Sequence, residues 1–305
     1  MAYPTGEQYE LRHEGGTETR AIVTQLAAAL RELTVDGEHL SEPYGAEEPT
    51  PAANGIVLVP WPNRVDEGVW ILDGERLQLD ITEPRFNNAI HGLLRFASYT
   101  PVERTDDAIT LNAMVYPQHG YPFQLDTFVR YRVVDRGLEV EHRIVNVGRV
   151  RAPVAVGAHP YLRLGETPLE SLTLTIAAAS RFAVTKRMIP FAESPVDGTE
   201  FDLRRGRALA ELRLDDAFGE VEHRDGVAAH RLAAADGRAV ELWQDEGFGY
   251  VQVFTPRGYR RAGVPGLAVA IEPMTAPPNA LVTKRGLRWL DPGEEWTVRW
   301  GIRRR

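Results

Sequence analysis

Two histidines and one glutamate stand where acid–base chemistry could use them. Glu272 follows an apolar run at 266–271 and precedes a proline-rich stretch, while His159 follows a second apolar run and is itself followed by Pro160. His91 likewise lies where a strand is expected to meet a loop. A lone histidine is most often a satisfied core or turn residue. Two histidines and a carboxylate at matching strand ends favour a site for proton transfer.

Glu272 by itself allows two interpretations. An unpaired carboxylate is costly to bury, so the residue needs either a fixed hydrogen-bonding partner or a role as a base poised for proton transfer. A metal held by His91, His159 and Glu272 is a further alternative, because two histidines and a carboxylate can bind iron or zinc. The three residues show no close pair spacing, which makes the metal site the weakest of these interpretations.

A stiff, proline-flanked loop carries groups that suit a polyhydroxylated ligand. Trp61 offers an apolar face for a sugar ring, and Asn63 and Arg64 offer hydrogen-bond donors for hydroxyl groups. A second candidate is Asp215, which is followed by Asp216 and flanked by apolar residues. The structural alternatives are a packed tryptophan, an arginine in a surface ion pair, and an acidic pair that caps a helix or forms a turn.

The elements that must position these residues are predicted to be strands. Asp73-Gly74 separates two short apolar segments and predicts a hairpin. The segments 123–134 and 137–147 predict a longer pair, and the second alternates cleanly between apolar and charged residues. Only 25–33 has a helical pattern, and it could equally be a strand. We therefore expect an all-β protein with a large antiparallel β-sandwich, formed by a single domain over residues 1–305.

Composition excludes several classes of function. The chain has 305 residues, a formal net charge of −8 and no cysteine. The acidic balance argues against a nucleic-acid partner, and no apolar stretch is long enough to span a membrane. The first residues lack the apolar core of a signal peptide, so we expect a cytoplasmic protein. The sequence is compatible with a monomer or a homodimer.

Five short motifs in order resemble the aldose 1-epimerase (galactose mutarotase) family. These are Pro60-Trp61-Pro62-Asn63-Arg64 with Gly68, His91-Gly92-Leu93, His159-Pro160-Tyr161-Leu162, Leu214-Asp215-Asp216-Ala217-Phe218, and Glu272 with its proline-rich loop. The resemblance covers nearly the whole chain. It implies a large β-sandwich with an open sugar-binding cleft and no metal or organic cofactor.

The resemblance also implies roles for individual residues. Glu272 resembles the family's general base, His159 its general acid and His91 the second histidine of the active site. Four further residues resemble those that bind the sugar, namely Arg64, Asp215, Asn63 and Tyr161. The residues after His91 and His159 depart from the galactose-acting members. The segment Glu272-Pro273-Met274-Thr275 is closer to a bacterial subgroup that includes the sulfoquinovose mutarotases.

Three functions are compatible with these residues. The favoured one is a mutarotase that interconverts the α and β anomers of a free or modified hexose by opening and reclosing the ring. The second is a non-catalytic carbohydrate-binding or sensor protein on the same fold. The third is a glycoside-cleaving enzyme that uses Glu272 with Asp215 or Asp216. An anionic sugar would need extra cations, for which Arg95, Arg163 and Arg187 are candidates.

Overall fold

Short strands make up almost all of the regular structure. The computed structural model describes residues 3–261 and 263–305. The strands are β1 (Gln8–Glu14), β2 (Glu18–Thr24), β3 (Leu30–Val35), β4 (Glu38–His39), β5 (Val57–Leu58), β6 (Arg64–Asp66), β7 (Val69–Leu72), β8 (Glu75–Gln78), β9 (Asn88–Ile90), β10 (Thr100–Arg104), β11 (Ala108–Val115), β12 (Leu125–Val134), β13 (Gly137–Asn146), β14 (Ala152–Val154), β15 (Gly157–Ala158), β16 (Thr173–Thr175), β17 (Ala178–Val184), β18 (Pro190–Pro195), β19 (Arg207–Ala208), β20 (Asp215–Val221), β21 (Val227–Ala233), β22 (Ala239–Asp245), β23 (Tyr250–Phe254), β24 (Tyr259–Arg261), β25 (Val264–Gly266), β26 (Ala270–Met274), β27 (Arg288–Leu290) and β28 (Glu295–Arg304). One four-residue helix, α1 (Ala280–Thr283), and three 3-10 turns, Pro51–Ala53, Leu169–Ser171 and Leu209–Glu211, complete the elements.

Two large antiparallel sheets dominate the architecture. One has nine strands in the order β10-β11-β12-β13-β28-β22-β21-β16-β19. The other has seven strands in the order β18-β17-β20-β23-β26-β15-β5. A four-stranded sheet, β1-β2-β3-β4, and several two-stranded ribbons surround them. The protein is therefore all-β with antiparallel sheets, as the sequence predicts.

The alternation of side chains explains how the sheets enclose a core. In β13, Leu138, Val140, His142 and Ile144 are buried, and the residues between them are partly exposed. Such a strand presents one apolar face and one polar face. Buried residues from both large sheets join one apolar cluster that runs from Tyr9 to Ile302.

Most strand predictions are confirmed, and one ambiguous segment is resolved. The Asp73-Gly74 hairpin forms between β7 and β8, and β12 pairs with β13 across residues 135–136. The segment 25–33 forms no helix. Ala27 and Ala28 have left-handed backbones, so the chain turns there before it enters β3. In the part of the chain that the structure describes, no helix is long and apolar enough to cross a membrane.

Candidate active site

The seven-stranded sheet brings three of the candidate residues together. Glu272 lies at the centre of β26, between β23 on one side and β15 on the other. His159 directly follows β15, and Asp215 is the first residue of β20. The neighbouring order β20-β23-β26-β15 therefore places all three on adjacent strands. Residues at least 56 sequence positions apart meet because the sheet is built from non-local pairs.

Two local expectations from the sequence are wrong. Glu272 does not sit at the end of its strand, because Pro273 and Met274 still pair with β23. Asp215 and Asp216 do not cap a helix or form a turn but begin β20, opposite Phe254 and Val253. A proline can occupy a strand position where its missing N–H is not required by the ladder. Glu272 is therefore held by a strand on each side, which makes it a rigidly placed carboxylate.

Glu272 and His159 form the centre of the site. The distance from His159 Nε2 to Glu272 Oε1 is 3.4 Å, and both side chains are buried. Glu272 Oε2 and His159 Nδ1 are also buried, and neither has a hydrogen-bond partner among residues 3–261 and 263–305. Buried polar atoms are nearly always paired, so an unpaired atom on each of two contacting side chains indicates capacity for a ligand.

Burial moves the pKa values of the two groups in opposite directions. Desolvation raises the pKa of Glu272 well above its usual range; the charge of Asp215 adds to this effect, and Arg64 opposes it. Desolvation lowers the pKa of His159 to about 4. Both shifts favour the uncharged forms. Between the lowered pKa of His159 and the raised pKa of Glu272 the pair carries a single proton, which is the state that acid–base chemistry by a coupled pair requires.

A two-stranded ribbon delivers His91 and Arg64 to the same place. In the ribbon of β6 and β9, Arg64 pairs with Ile90, the residue before His91. The backbone N–H of His91 donates to the carbonyl of Asn63 at 2.9 Å. His91 and Gly92 both have left-handed backbones, and a side chain on Gly92 would lie 2.1 Å from the carbonyl oxygen of Val59. The glycine is thus required for the turn that aims His91.

The ring of His91 lies against the ring of His159. Their centroids are 5.3 Å apart and the ring planes meet at 79°. Burial lowers the pKa of His91 well below its usual value, with further effects from His159, Arg95 and Arg64. Its Nδ1 atom is buried and has no partner in the described part of the chain. A neutral ring in this position can donate one hydrogen bond to a ligand and accept another.

Arg64 and Asp215 lie close together in the wall of the cleft. Arg64 donates Nε and Nη2 to the two carboxylate oxygens of Glu83 at 2.8 and 2.9 Å, and its Nη2 lies 3.7 Å from Asp215 Oδ2. Asp215 also accepts a bond of 2.7 Å from the side chain of Gln252. Burial raises the pKa of Asp215, while Arg64 and Gln252 act in the opposite direction. Both groups are therefore oriented by protein contacts before any ligand binds.

These residues line one cleft with a volume of about 540 Å³. Six of the seven candidate residues contribute to its wall, namely Asn63, Arg64, His91, His159, Asp215 and Glu272. The exception is Tyr161. It is fully buried, and its ring stacks on that of His159 with a centroid distance of 5.3 Å and an angle of 25°. In this structure Tyr161 supports His159 from behind and does not face the cleft.

Several residues of the cleft were missed in the sequence. Glu83 and Phe86 lie in the irregular segment between β8 and β9, where no periodic pattern draws attention to them. Gln252, which bonds to Asp215, could have been noticed in the sequence, since it is a polar residue inside the otherwise apolar strand β23. Phe254 also lines the cleft, and nothing distinguishes it from an ordinary strand residue.

The three candidate cations for an anionic sugar differ in position. Arg95 lines the cleft, and its Nε is buried without a hydrogen-bond acceptor in the described residues. Arg163 instead bonds to the carbonyl of Gly165 and lies close to Glu42. Arg187 forms a surface cluster that includes Asp66.

Two of the sequence alternatives can be compared with this geometry. Within the described ranges, no group of three or more His, Cys, Asp or Glu side chains is arranged to hold a metal ion. Asp216 pairs with Arg181 through Nε at 2.7 Å and does not line the cleft. Of the two aspartates, only Asp215 therefore lies in the cleft with Glu272.

Comparison with known proteins identifies the family. A profile described as Aldose 1-epimerase matches residues 7–303. The uncharacterized protein YihR of Escherichia coli K12 is 33% identical over 276 residues, which are 90% of this chain and 86% of that protein.

Solved structures share the fold at low sequence identity. The GalM/aldose epimerase homologue from C. elegans has a TM-score of 0.85 and 18% identity, and the match covers 98% of this chain and 99% of that one. A galactose 1-epimerase from Lactobacillus acidophilus has a TM-score of 0.78 and 17% identity, and the match covers 98% of each chain. With the family profile spanning nearly its whole length, the chain belongs to the aldose 1-epimerase family.

Proposed function

We propose that this protein is a mutarotase that interconverts the α and β anomers of a free or modified hexose. The observation that carries the proposal is the pair of Glu272 and His159, 3.4 Å apart on a cleft floor, each with one buried atom that lacks a protein partner. Membership of the aldose 1-epimerase family supports the same chemistry. No cofactor is part of the proposal, because a hemiacetal ring opens and recloses by proton transfer at its oxygens, without oxidation or reduction.

The reaction requires one base and one acid near the anomeric carbon. Glu272 removes the proton from the C1 hydroxyl while His159 protonates the ring oxygen, so that the C1–O5 bond breaks and a C1 carbonyl forms. Rotation about the C1–C2 bond presents the other carbonyl face. The ring closes with both proton transfers reversed, which returns the pair to its starting state. Each general acid or base contributes roughly 10²–10⁴ in rate.

The single proton of the pair fits this cycle. In the empty cleft, burial favours neutral His159 and protonated Glu272. A bound hexose changes this balance, because its C1 hydroxyl donates to the carboxylate and its ring oxygen accepts from the imidazolium. The two proton positions differ by one transfer across 3.4 Å. The Glu272 carboxylate and the His159 imidazolium therefore form together only while a sugar is bound.

The remaining residues of the cleft orient the sugar and stabilise charge. Arg64 can donate to ring hydroxyls, and Asp215 can accept from them, since both are held in place by Glu83 and Gln252. His91 can donate a hydrogen bond to oxygens at the reacting centre. These contacts fix the C1–O5 bond between Glu272 and His159.

A specific observation favours an anionic hexose as substrate. The guanidinium of Arg95 lines the cleft with a buried Nε that no described acceptor satisfies, and burial lowers its pKa. A phosphorylated or sulfonated sugar would supply both an acceptor and a compensating charge. Nη1 of Arg95 already donates to the carbonyl of Ile90, at 3.3 Å. Neutral hexoses such as glucose and galactose would supply no charge for the remaining Nε and would bind more weakly.

An NMR experiment tests the proposal. Exchange between anomer signals is measured for glucose, galactose, a hexose 6-phosphate and sulfoquinovose with catalytic amounts of enzyme. We expect acceleration over the buffer rate for at least one sugar, with the largest effect for an anionic one. Loss of that preference in Arg95→Gln supports the anion contact, whereas equal rates on all four sugars contradict it.

Two other outcomes would redirect the assignment. Tight sugar binding with no acceleration of exchange would identify a binding or sensor protein. Release of a leaving group from an aryl glycoside would indicate cleavage by Asp215 and Glu272 instead.

A further inference from the structure

Glu83 is the best-anchored carboxylate at the cleft wall. Its two oxygens accept from Nε and Nη2 of Arg64 in a bidentate pair. Its backbone N–H donates to the carbonyl of Asn88 at 2.9 Å, and the Asn88 side chain lies 3.4 Å from Glu83 Oε2. Backbone and side chain are thus fixed together, and the bidentate geometry fixes the plane of the guanidinium.

The pairing of Glu83 with Arg64 matters because Arg64 lies close to the acids of the cleft. Arg64 is almost fully buried, lies 3.7 Å from Asp215, and has an electrostatic effect on Glu272. Without Glu83, this buried cation would be balanced only by Asp215 and Glu272 and would favour the ionised forms of both acids more strongly. That would leave Glu272 as a weak base and the pair without its proton.

We propose that Glu83 is a positioning residue that neutralises Arg64 and thereby sets how readily Glu272 gives up its proton. The two bonds use Nε and Nη2, so Nη1 remains for the sugar. Glu83 holds the guanidinium in place for binding and limits its attraction for the Glu272 carboxylate. This inference rests on the proposed function for its kinetic consequence, but its electrostatic part can be measured without any substrate.

Several charged or titratable groups face Glu272 and influence its pKa. Asp215 favours the protonated acid and Arg64 favours the carboxylate. His159 is in contact with Glu272, and Glu272 in turn raises the pKa of Tyr161. A substitution at residue 83 keeps all of these residues and removes only the carboxylate partner of Arg64. A change in the titration of Glu272 would therefore report the altered balance at Arg64.

The test compares Glu83→Gln, which keeps the shape and removes the charge, with Glu83→Asp, which keeps the charge. Glu241→Gln is the matched control, because Glu241 is a buried carboxylate that pairs with Arg303 away from the cleft. The titration of Glu272 is followed by ¹³C NMR of labelled carboxyl groups, assigned by the signal that Glu272→Gln lacks. The alkaline limb of kcat/KM is measured in the same proteins.

We expect Glu83→Gln to move the titration of Glu272 and the alkaline limb to lower pH, with a several-fold loss of kcat/KM on that limb. Glu83→Asp keeps the wild-type titration but raises KM, and Glu241→Gln changes neither. If Glu83→Gln does not fold, Glu83→Ala serves the same comparison. An unchanged Glu272 titration in the uncharged variants, together with reduced thermal stability, would show a purely structural role and overturn the inference.

The outcomes separate this inference from the proposed function. A shifted titration in a protein that accelerates no anomer exchange would leave the role of Glu83 standing and reject the mutarotase. Efficient anomer exchange with an unshifted Glu272 titration would support the mutarotase and reject the proposed role of Glu83.

Discussion

Two buried histidines, one in the cleft and one in the core, have different surroundings. His159 and His230 are 4% and 0% exposed, and burial lowers the pKa of each to about 4. His230 uses both ring nitrogens, since Nδ1 accepts from the backbone N–H of Ala177 and Nε2 bonds to Gln244 Oε1. His159 has Nε2 beside Glu272, and its Nδ1 has no partner in the described chain.

The same contrast holds for two buried carboxylates. Glu42 and Glu272 are 1% and 2% exposed. Glu42 accepts two short bonds from Arg261, at 2.6 and 2.7 Å. Glu272 has one buried oxygen that lacks a partner within the described ranges. Burial alone therefore does not mark the site. Adjacent groups with unused hydrogen-bonding capacity do, because the fold leaves that capacity to a ligand.

The largest expected difference is between substitutions of Glu272 and Glu42. Glu272→Gln removes the base and should reduce mutarotation roughly 10²–10⁴-fold, while the protein remains folded. Glu42→Gln leaves Arg261 without its charge partner and should cost about 3–5 kcal/mol of stability with little change in the activity of the folded enzyme. Polarimetry and urea unfolding of both variants measure the contrast. Near-normal turnover in Glu272→Gln would remove the base from the mechanism.

Substitutions of His159 and His230 should likewise differ in their effects on turnover and stability. His159→Asn removes the acid and should lower turnover by a similar roughly 10²–10⁴-fold. His230→Asn cannot reach both Ala177 and Gln244, so it should cost about 1–3 kcal/mol of stability while turnover per folded molecule stays unchanged. The comparison fails if His159→Asn destabilises the protein more than His230→Asn and keeps its turnover.

The pH dependence should distinguish the cleft from the core. Below about pH 4, His159 takes a second proton and the pair has no base, so kcat/KM falls there. At high pH the pair loses its only proton as Glu272 ionises above its usual range, and activity falls again. A broad plateau between these limits is expected from initial rates. An acid limb near the ordinary histidine pKa of 6.5 would contradict the burial of His159.

Stability should respond to acid through the core. His142 and His230 have pKa values of about 3 and about 4 in the folded protein, against 6.5 for an unperturbed histidine. Between these values the unfolded chain binds more protons, so the free energy of unfolding should fall as the pH drops from about 6.5 to about 4. Thermal unfolding across this range measures the decline.

The smallest effect is expected at Tyr161. Its hydroxyl donates a bond of 3.3 Å to the carbonyl of Ala52, and its ring supports that of His159. Tyr161→Phe keeps the ring and should change kcat/KM by less than about threefold, because a long neutral hydrogen bond contributes little. A loss of tenfold or more would show that the hydroxyl acts on the sugar.

The sequence predicted the β architecture, and six of its seven candidate site residues lie in one cleft. The rest of the cleft could not be predicted, for a physical reason. Alternation and turn pairs are local signals, so β7, β8, β12 and β13 could be predicted. The end of an apolar run predicted His159, and a proline-flanked loop predicted Arg64. Glu83 could not be found, because it lies in an irregular segment and its role comes from pairing with Arg64, 19 positions earlier in the chain. The strand position of Glu272 was missed because its prolines indicated a loop.

A crystal structure of Glu272→Gln with a bound hexose tests the central claim most directly. We expect one pyranose to contact both groups at once, with its C1 hydroxyl within hydrogen-bond distance of the residue 272 amide and its ring oxygen within reach of His159 Nε2. A sugar bound with its anomeric carbon away from either side chain would contradict the account.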